Sequence, residues 1–371
     1  MTTPPAAFVT GFPGFIARRL VHRLLATDDR LHIYALVEQS QVEAAERGLA
    51  AMNHHSTGDL GLKGRVELLT GDVAAMDVGL SGEEFQRVTR DTLAVYHLAA
   101  VRSLSADRRT AESVNVHGTA NILTLARSMT KLERLVHFSS AYVSGDRTGV
   151  IMEDELGCGQ GFRNTYEATK HQSEVLVENA KKDLPITVVR PAGVVGDSRT
   201  GEIDRFDSVY HIGMLLTGAP VELPIPLTGG GHAPMNMAPV DYVVEAIHAI
   251  ASQAWSLGRT FHIVDPHPIP VRRVYETVAE RAGRKLSRYS MPTNLTKALL
   301  RIPGLERFAS ISHQAIDYLD HMVFYNCRNT AYALEGTGIK CPSFEDYVEN
   351  LMQYVRDHFE REGRWKHAPH D

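Results

Sequence analysis

The sequence predicts an α/β fold in which a doubly wound parallel sheet carries helices on both faces and is followed by a smaller, mainly helical C-terminal lobe. Short apolar segments alternate with helical patterns through the first half of the chain, and 371 residues exceed one small domain. The rhythm changes after Gly196, where prolines and glycines cluster and later segments are mostly helical. We therefore predict a sheet domain over 1–205 and 236–268 and a second lobe over 206–235 and 269–371.

The predicted strands are short and apolar, as expected for parallel strands that are buried on both faces. They span 7–10, 31–37, 66–70, 93–98, 132–139, 186–190 and 260–264. Between them, apolar residues recur at helical spacing. The clearest predicted helices span 15–25, 39–52, 110–129, 165–182, 240–252 and 343–361. This alternation favours parallel strands that are joined by crossover helices.

Composition excludes several classes of protein. With 39 basic and 44 acidic residues the net charge is −5, so the chain has no general cationic field that would hold nucleic acid. Cys158, Cys327 and Cys341 are far apart, which argues against a disulfide scaffold and a zinc site and favours a reducing compartment. No apolar segment approaches the ~18 residues of a membrane span, and the N-terminus lacks a signal-peptide pattern. We expect a cytoplasmic protein without a bound metal.

A glycine-containing loop joins the first strand to the first helix, with the sequence TGFPGFIA over residues 10–17. Gly11 and Gly14 would let the main chain approach a pyrophosphate at the helix N-terminus, although an ordinary strand–helix turn also contains glycine. This placement between strand and helix favours a Rossmann-type sheet that binds a dinucleotide. The contacts expected from the loop are Thr10, Gly11, Phe12, Pro13, Gly14, Phe15 and Ile16.

Glu38 follows the second predicted strand, 24 residues after Gly14. A carboxylate there can accept both hydroxyls of an adenine ribose and would repel a 2′-phosphate, whereas a solvated charge at a strand end is equally common. Together with the glycine loop it favours NAD(H), and NADP(H) stays open. Other strand ends are expected to contact the cofactor through Asp72, Val73, Leu98, Ala99 and Ala100.

A pair of side chains suited to proton transfer lies in a predicted helix, where Tyr166 and Lys170 are one turn apart on the same face. A nearby ammonium and a nicotinamide cation favour the phenolate of a tyrosine whose ordinary pKa is about 10. Ser140 ends the fifth predicted strand, where a hydroxyl could polarise a carbonyl. Asn115 could hold a water or a main-chain group behind the lysine, or it could simply face solvent on its helix.

Over about residues 6–265 the chain resembles an extended short-chain dehydrogenase/reductase. The motifs that carry the resemblance are TGxxGFI at 10–16, Gly71-Asp72, His97-x-Ala-Ala, Asn115-Val-x-Gly-Thr119, Ser139-Ser140 and Tyr166-x-x-x-Lys170. The resemblance implies that Tyr166 is the general acid/base and that Lys170 binds the nicotinamide ribose. It also implies that Ser140 orients the substrate carbonyl and that Asn115 supports a proton relay. Further expected contacts are Pro191, Gly193 and Val194 for the cofactor, and Ser140, Ala141, Tyr142 and Val195 for the substrate.

The segment Arg190–Asp197 indicates a branch of this family. It reads RPAGVVGD and lacks the asparagine and tyrosine usual in sugar-nucleotide epimerases, and it is similar to thioester reductases and fatty acyl reductases. That branch commonly carries a basic residue for NADPH where this chain has Glu38. We expect hydride transfer to or from an acyl thioester, an aldehyde or an alcohol, with any thioester presented on CoA or on a carrier protein. The alternatives are an NAD-dependent epimerase or dehydratase that acts on a sugar nucleotide, and a non-catalytic NAD-sensing protein.

Residues 270–310 carry nine basic and three acidic side chains, although the chain as a whole is acidic. Such a segment could contact phosphates of CoA, a phosphopantetheine arm or an anionic membrane surface. A solvated basic face is the favoured interpretation, since runs of charge usually mark exposed surface. The sequence leaves open whether the protein is a monomer or a homodimer.

Overall fold

The computed structural model describes residues 4–55, 64–103, 106–206, 209–210, 213, 228–283 and 318–362. Its strands, in chain order, are β1 (Ala6–Thr10), β2 (His32–Val37), β3 (Val66–Thr70), β4 (Thr92–His97), β5 (Arg134–Phe138), β6 (Gly149–Ile151), β7 (Ile186–Pro191), β8 (Gly193–Val195), β9 (Met237–Pro239), β10 (Thr260–Ile263) and β11 (Val323–Tyr325). Seven of them form a central sheet in the order β10-β7-β5-β4-β1-β2-β3, and every neighbouring pair is parallel. The predicted doubly wound parallel sheet is confirmed, and its seven strands begin and end within two residues of the predicted bounds.

Helices connect the strands. In chain order they are α1 (Phe15–Thr27), α2 (Val42–His55), α3 (Gly82–Asp91), α4 (Arg108–Ala111), α5 (Gly118–Ser128), α6 (Thr165–Ala180), α7 (Val240–Ala251), α8 (Val271–Arg281), α9 (Arg328–Leu334) and α10 (Phe344–Glu362). Two of the predicted helices differ in detail from the observed ones. The helix predicted over 39–52 begins with a 3-10 turn, Gln39–Gln41, and the one predicted over 110–129 contains a π-helical segment, Glu112–His117, between α4 and α5.

The two faces of the sheet pack against different helices. Along β1, Ala7 and Val9 belong to the apolar cluster that contains α1 and α7, whereas Ala6 and Phe8 belong to the cluster that contains α5. This alternation is the two-residue period of a strand. Because both faces are covered, the side chains of β1 are almost completely buried, and burying one large apolar side chain contributes about 1.5–3 kcal/mol.

Outside the central sheet, β6 pairs with β11 and β8 with β9, both in parallel. Helices α8 and α10 pack on each other and belong to the same apolar cluster as α1 and α7. The division into two domains stays a prediction. Most of the basic segment 270–310, from residue 284 onward, lies outside the described residues.

Among the described residues, none of the helices is both long and apolar enough to cross a bilayer. The same residues contain no group of histidine, cysteine, aspartate and glutamate side chains that is placed to hold a metal ion.

Candidate active site

A cavity of about 560 Å³ opens at the carboxyl ends of β1, β4, β5 and β7, a size that suits a small ligand or part of a dinucleotide. Parallel strands bring their carboxyl ends to the same edge of a sheet, so residues far apart in the chain meet here. The cavity wall includes many of the residues that the sequence singles out. They are Gly11, Gly14, Phe15, Ile16, Leu98, Ala100, Tyr142, Tyr166, Lys170, Pro191, Gly193 and Val194.

The glycine loop leaves room for a ligand because its main chain lies against the end of β4. Gly11 has φ of +80°, and a Cβ atom there would lie 2.8 Å from the amide nitrogen of Ala99. A Cβ on Gly14 would lie 2.7 Å from the carbonyl oxygen of Gly11. Helix α1 starts at Phe15 without a side-chain cap, so its first amide groups are open to an anion. This cradle fits the pyrophosphate of a dinucleotide.

Thr10 joins the start of the loop to the end of β4. Its hydroxyl oxygen accepts the amides of Leu98 and Ala99, both at 3.1 Å, and lies 2.8 Å from Nδ1 of His97. On the other side, Nε2 of His97 lies 3.1 Å from the hydroxyl of Thr119, whose own proton goes to a main-chain carbonyl. Nε2 therefore carries the proton and Nδ1 accepts from Thr10. Burial lowers the pKa of His97 to about 3, so the ring is neutral.

Five further residues predicted to contact the cofactor lie outside the cavity wall. Glu38 is exposed directly after β2, and its carboxylate makes no hydrogen bond with the described residues. Asp72 is exposed after β3, where its carboxylate accepts the amide of the second residue after it. The side chains of Phe12 and Val73 are buried in the core, and Pro13 lies beside α2. Of these five residues, Glu38 and Asp72 therefore expose a carboxylate outside the cavity, and the Asp72 carboxylate also accepts a main-chain amide.

Tyr166 lies in the first turn of α6, which starts where the Asn164 side chain accepts the amide of Glu167 at 3.0 Å. Its ring is part of the cavity wall. Burial raises the pKa of Tyr166 above its usual value, whereas the neighbouring Ser140 hydroxyl and the positive charge of Arg102 act to lower it. At neutral pH the phenol is therefore protonated.

Lys170 lies one turn after Tyr166 and is 3% exposed. Its ammonium donates to the carbonyl oxygen of Phe138, at the end of β5, at 2.6 Å. Burial lowers the pKa of Lys170 to about 8, and the carboxylate of Glu174 partly compensates. The sequence predicts that this lysine favours the phenolate of Tyr166. Here the groups that oppose the effect of burial on the phenol are Ser140 and Arg102.

Asn115 lies in the π-helical segment between α4 and α5, a distortion that occurs often at functional sites. Its side-chain oxygen accepts the amide of Val101 at 2.8 Å, and its side-chain nitrogen donates to the carbonyl of Val101 and to the hydroxyl of Thr169. Asn115 thereby ties the loop after β4 to α6. Its part in a proton relay stays a prediction.

The residues predicted to contact the substrate differ in exposure. Tyr142 lines the cavity, and its ring lies 4.8 Å from that of Tyr318. Ser140 is buried beside Tyr166, and its hydroxyl oxygen also accepts the amide of Tyr142. The side chains of Ala141 and Val195 are buried in apolar clusters away from the cavity wall. Neither residue lines the cavity, and their contacts with a substrate stay a prediction.

Two cationic residues of the cavity wall are absent from the sequence analysis. Arg102 and Arg205 are exposed, line the cavity, and have no acidic partner among the described residues. Each is a single arginine in a loop, so no spacing pattern marks it. Glu174, one turn after Lys170, is a third missed residue, and its position in α6 is a signal that could have found it.

Comparison with known proteins places the chain in a family. The family model described as male sterility protein, an NAD-binding family, matches residues 9–247. A nonribosomal peptide synthetase of Aspergillus flavus is 30% identical over 274 residues, which is 70% of this chain and 26% of that protein. A fatty acyl-CoA reductase of Drosophila melanogaster is 25% identical over 290 residues, or 70% of this chain and 56% of that protein. The chain thus spans only part of the length of these relatives.

A solved structure is similar over nearly the whole chain. The terminal R domain from the myxalamid PKS-NRPS biosynthetic pathway is 27% identical, with a TM-score of 0.78, over 98% of this chain and 92% of that one. The expected resemblance is confirmed by these matches and by the fold. The chain therefore belongs to the male sterility protein family, in the thioester-reductase and fatty acyl reductase branch of the extended short-chain dehydrogenases/reductases, an NAD(P)-dependent class of enzyme.

Proposed function

We propose that the protein is an NAD(P)H-dependent reductase of acyl thioesters that are presented on CoA or on a carrier protein. The balanced reaction is R–CO–S–R′ + NAD(P)H + H⁺ → R–CHO + R′–SH + NAD(P)⁺. The observation that carries the proposal is a single cavity that brings the phenol of Tyr166, with Ser140 beside it, together with the cradle of Gly11 and Gly14. The fatty acyl-CoA reductase and the peptide synthetase among its relatives favour a thioester as the substrate.

The chain's own residues have separate tasks in this reaction. Gly11, Gly14 and the first amides of α1 would hold the pyrophosphate of the cofactor, which supplies the hydride when bound. Tyr166 gives its proton to the carbonyl oxygen as the negative charge develops there. Ser140 orients that oxygen and holds the phenol in place. Lys170, one turn further along α6 and held at the carbonyl oxygen of Phe138, would bind the nicotinamide ribose.

The protonation state of Tyr166 favours reduction over the reverse reaction. Because burial raises the pKa of its phenol, the side chain is protonated at neutral pH and is ready to donate. Oxidation of an alcohol needs the phenolate as a base, so we expect that direction to require a higher pH. Arg102, which lies near the phenol and has no acidic partner among the described residues, stabilises the phenolate that remains after proton transfer.

Glu38 favours NADH over NADPH in this proposal. Its carboxylate is exposed at the end of β2 and has no protein partner in the described part of the chain, so it is free to accept ribose hydroxyls. A 2′-phosphate at the same place would meet a negative charge.

The test is Tyr166→Phe, measured with an acyl-CoA panel and NADH through the change in nicotinamide absorbance. We expect kcat to fall by about 10²–10⁴-fold while the Kd for NADH stays within a factor of two or three, because the phenol hydroxyl acts on the carbonyl oxygen. Tyr332→Phe, a change at an exposed tyrosine on α9, is the matched control and should keep full activity. Unchanged turnover in Tyr166→Phe would remove the proposed acid, and turnover without net nicotinamide oxidation would indicate an epimerase.

A further inference from the structure

A buried ion pair lies directly behind the proposed acid–base residues. Glu174 and Arg190 are 0% and 1% exposed, and Arg190 donates to the Glu174 carboxylate through Nε at 2.9 Å and through a terminal nitrogen at 2.6 Å. Arg190 lies on β7, and Glu174 lies on α6 one turn after Lys170. Withdrawing such a pair from water costs several kcal/mol per ion, and apolar residues of similar volume often serve stability as well. The pair therefore calls for a role besides packing.

The Glu174 carboxylate also binds the strand end that carries the proposed active site. The hydroxyl of Ser139, the residue directly after β5, donates a hydrogen bond to this carboxylate. The residue before Ser139 is Phe138, whose carbonyl accepts the ammonium of Lys170. The residue after it is Ser140, which lies beside Tyr166 and acts to lower the pKa of its phenol. The Glu174 carboxylate thus contacts Ser139. This residue lies between Phe138, which accepts the Lys170 ammonium, and Ser140, which lies beside Tyr166.

The charged and titratable groups around Lys170 come from four elements. Tyr166 and Glu174 lie on its own helix, His97 on β4 and His137 on β5, with Arg190 on β7 beyond the carboxylate. Both histidines are neutral, because burial lowers the pKa of His97 to about 3 and that of His137 well below its usual value. Among the described residues, Glu174 is therefore the negative charge that faces the lysine.

We propose that Glu174 is a positioning residue that keeps the side chain of Lys170 charged at neutral pH and, through Ser139, fixes the end of β5 against α6. This inference rests on the proposed function only in giving Lys170 a catalytic task. Charge retention follows from the burial of both side chains one turn apart on the same helix, where the carboxylate acts against the effect of burial on the ammonium. Removal of the carboxylate leaves the ammonium and the Arg190 guanidinium in one buried region without a counter-charge.

The sign of the pH effect follows from these contacts. Burial already lowers the pKa of Lys170 to about 8, and Glu174 acts against burial. In Glu174→Gln the ammonium loses that support, so its proton should leave at a pH at least about one unit lower. At pH 7–8 much of the protein would then hold a neutral lysine.

The test is a direct titration of the lysine by NMR of protein labelled with ¹³C at lysine Cε, with the Lys170 signal identified by its loss in Lys170→Arg. We expect its midpoint to fall by at least about one pH unit in Glu174→Gln. Glu178→Gln is the matched control, since Glu178 lies one turn further along α6 and pairs with Lys181 at the surface. It should leave the midpoint unchanged.

Two further variants keep the test decisive if Glu174→Gln folds poorly. Glu174→Gln/Arg190→Met removes both buried charges. It should still lower the Lys170 midpoint, because the carboxylate that acts against the effect of burial is gone. Glu174→Asp retains the charge and should restore most of the wild-type midpoint. An unchanged midpoint in every folded variant that lacks the carboxylate overturns the inference.

The kinetic readout separates this inference from the proposed function. The alkaline limb of kcat/KM reports the Tyr166–Lys170 pair as a unit, and we expect it to move to lower pH in Glu174→Gln. If the NMR midpoint falls but the wild type reduces no thioester, the proposed function fails and the charge-holding role of Glu174 stands. Suppose instead that the wild type is active and that Glu174→Gln lowers the NMR midpoint but leaves the alkaline limb of kcat/KM at its wild-type pH. The assigned link between Glu174 and catalysis is then wrong.

Discussion

The glycine loop between β1 and α1 and the end of β5 lie two strands apart on the same edge of the sheet, and they are built in different ways. The loop region uses main-chain atoms and neutral partners, with Gly11 against the end of β4 and His97 held as a neutral ring. The end of β5 uses buried charges, with Lys170, Glu174 and Arg190 within one network. A surface that receives a ligand phosphate needs space and amide groups, whereas a surface that moves a proton needs tuned side chains.

This difference predicts how each region fails. The loop should be sensitive to added volume, because its neighbours are main-chain atoms that cannot rotate away. The end of β5 should tolerate a change of volume better than a change of charge, because a lone buried charge has no water to stabilise it.

Gly11→Ala is expected to have the largest effect. The new Cβ would lie 2.8 Å from main-chain atoms of Leu98 and Ala99, at a φ of +80° that suits glycine. We expect the Kd for NADH to rise at least 100-fold, or about 2.7 kcal/mol, in protein that keeps its circular dichroism. Gly82→Ala, in the first turn of α3 with open space around the new methyl, is the control and should bind normally. Normal binding by Gly11→Ala would show that the loop is not the phosphate site.

The same contrast explains how much of the molecule the sequence could predict. The seven central strands were predictable because parallel strands that are buried on both faces appear as apolar runs. The three-residue strands β6, β8, β9 and β11 are too short to show a period. Gly11, Gly14, Tyr166 and Lys170, which line one cavity, could be predicted as site residues because their motifs occupy a few consecutive residues.

The charged network was not predictable in that way. Glu174 meets Ser139 across 35 residues of sequence and Arg190 across 16, and neither spacing is a pattern that a sequence displays. The network also extends further, since Arg190 donates to the main-chain carbonyl of Glu153. Such contacts depend on which strands become neighbours in the sheet. Tyr166 and Lys170 could therefore be predicted as site residues from their spacing, whereas the contacts of Glu174 become visible only in the fold.

Glu38→Arg sharpens the contrast at the rim of the loop region, where a side chain rather than the main chain is expected to select the cofactor. We expect the ratio of Kd values for NADPH and NADH to change about 100-fold in favour of NADPH, since a carboxylate that repels a phosphate is replaced by a guanidinium that binds one. Glu43→Arg makes the same change of charge at an exposed site in the first turn of α2 and should leave the ratio near its wild-type value. A wild type that already prefers NADPH would contradict the interpretation of Glu38.

His137→Val tests the boundary between the two regions and carries the smallest effect. His137 lies on β5, is 0% exposed and packs on the ring of His97 with 5.5 Å between centroids. Neither of its ring nitrogens has a partner in the part of the chain that the structure describes. A buried polar group without a hydrogen bond costs about 1–3 kcal/mol, and valine suits a central parallel strand. We therefore expect the midpoint of urea denaturation to rise, corresponding to roughly 1 kcal/mol.

His262→Val supplies the opposite case, because the ring of His262 is equally buried but lies 2.7 Å from the carbonyl oxygen of Asn326 through Nδ1. That substitution removes a satisfied partner and should lower the midpoint. If both variants lose stability to the same extent, His137 is hydrogen-bonded in solution, for instance to a buried water, and the loop region and the end of β5 are joined by a polar contact. If only His262→Val loses stability, the loop region and the end of β5 meet at an apolar boundary. The neutral groups of the loop region and the buried charges at the end of β5 then share no polar contact through His137.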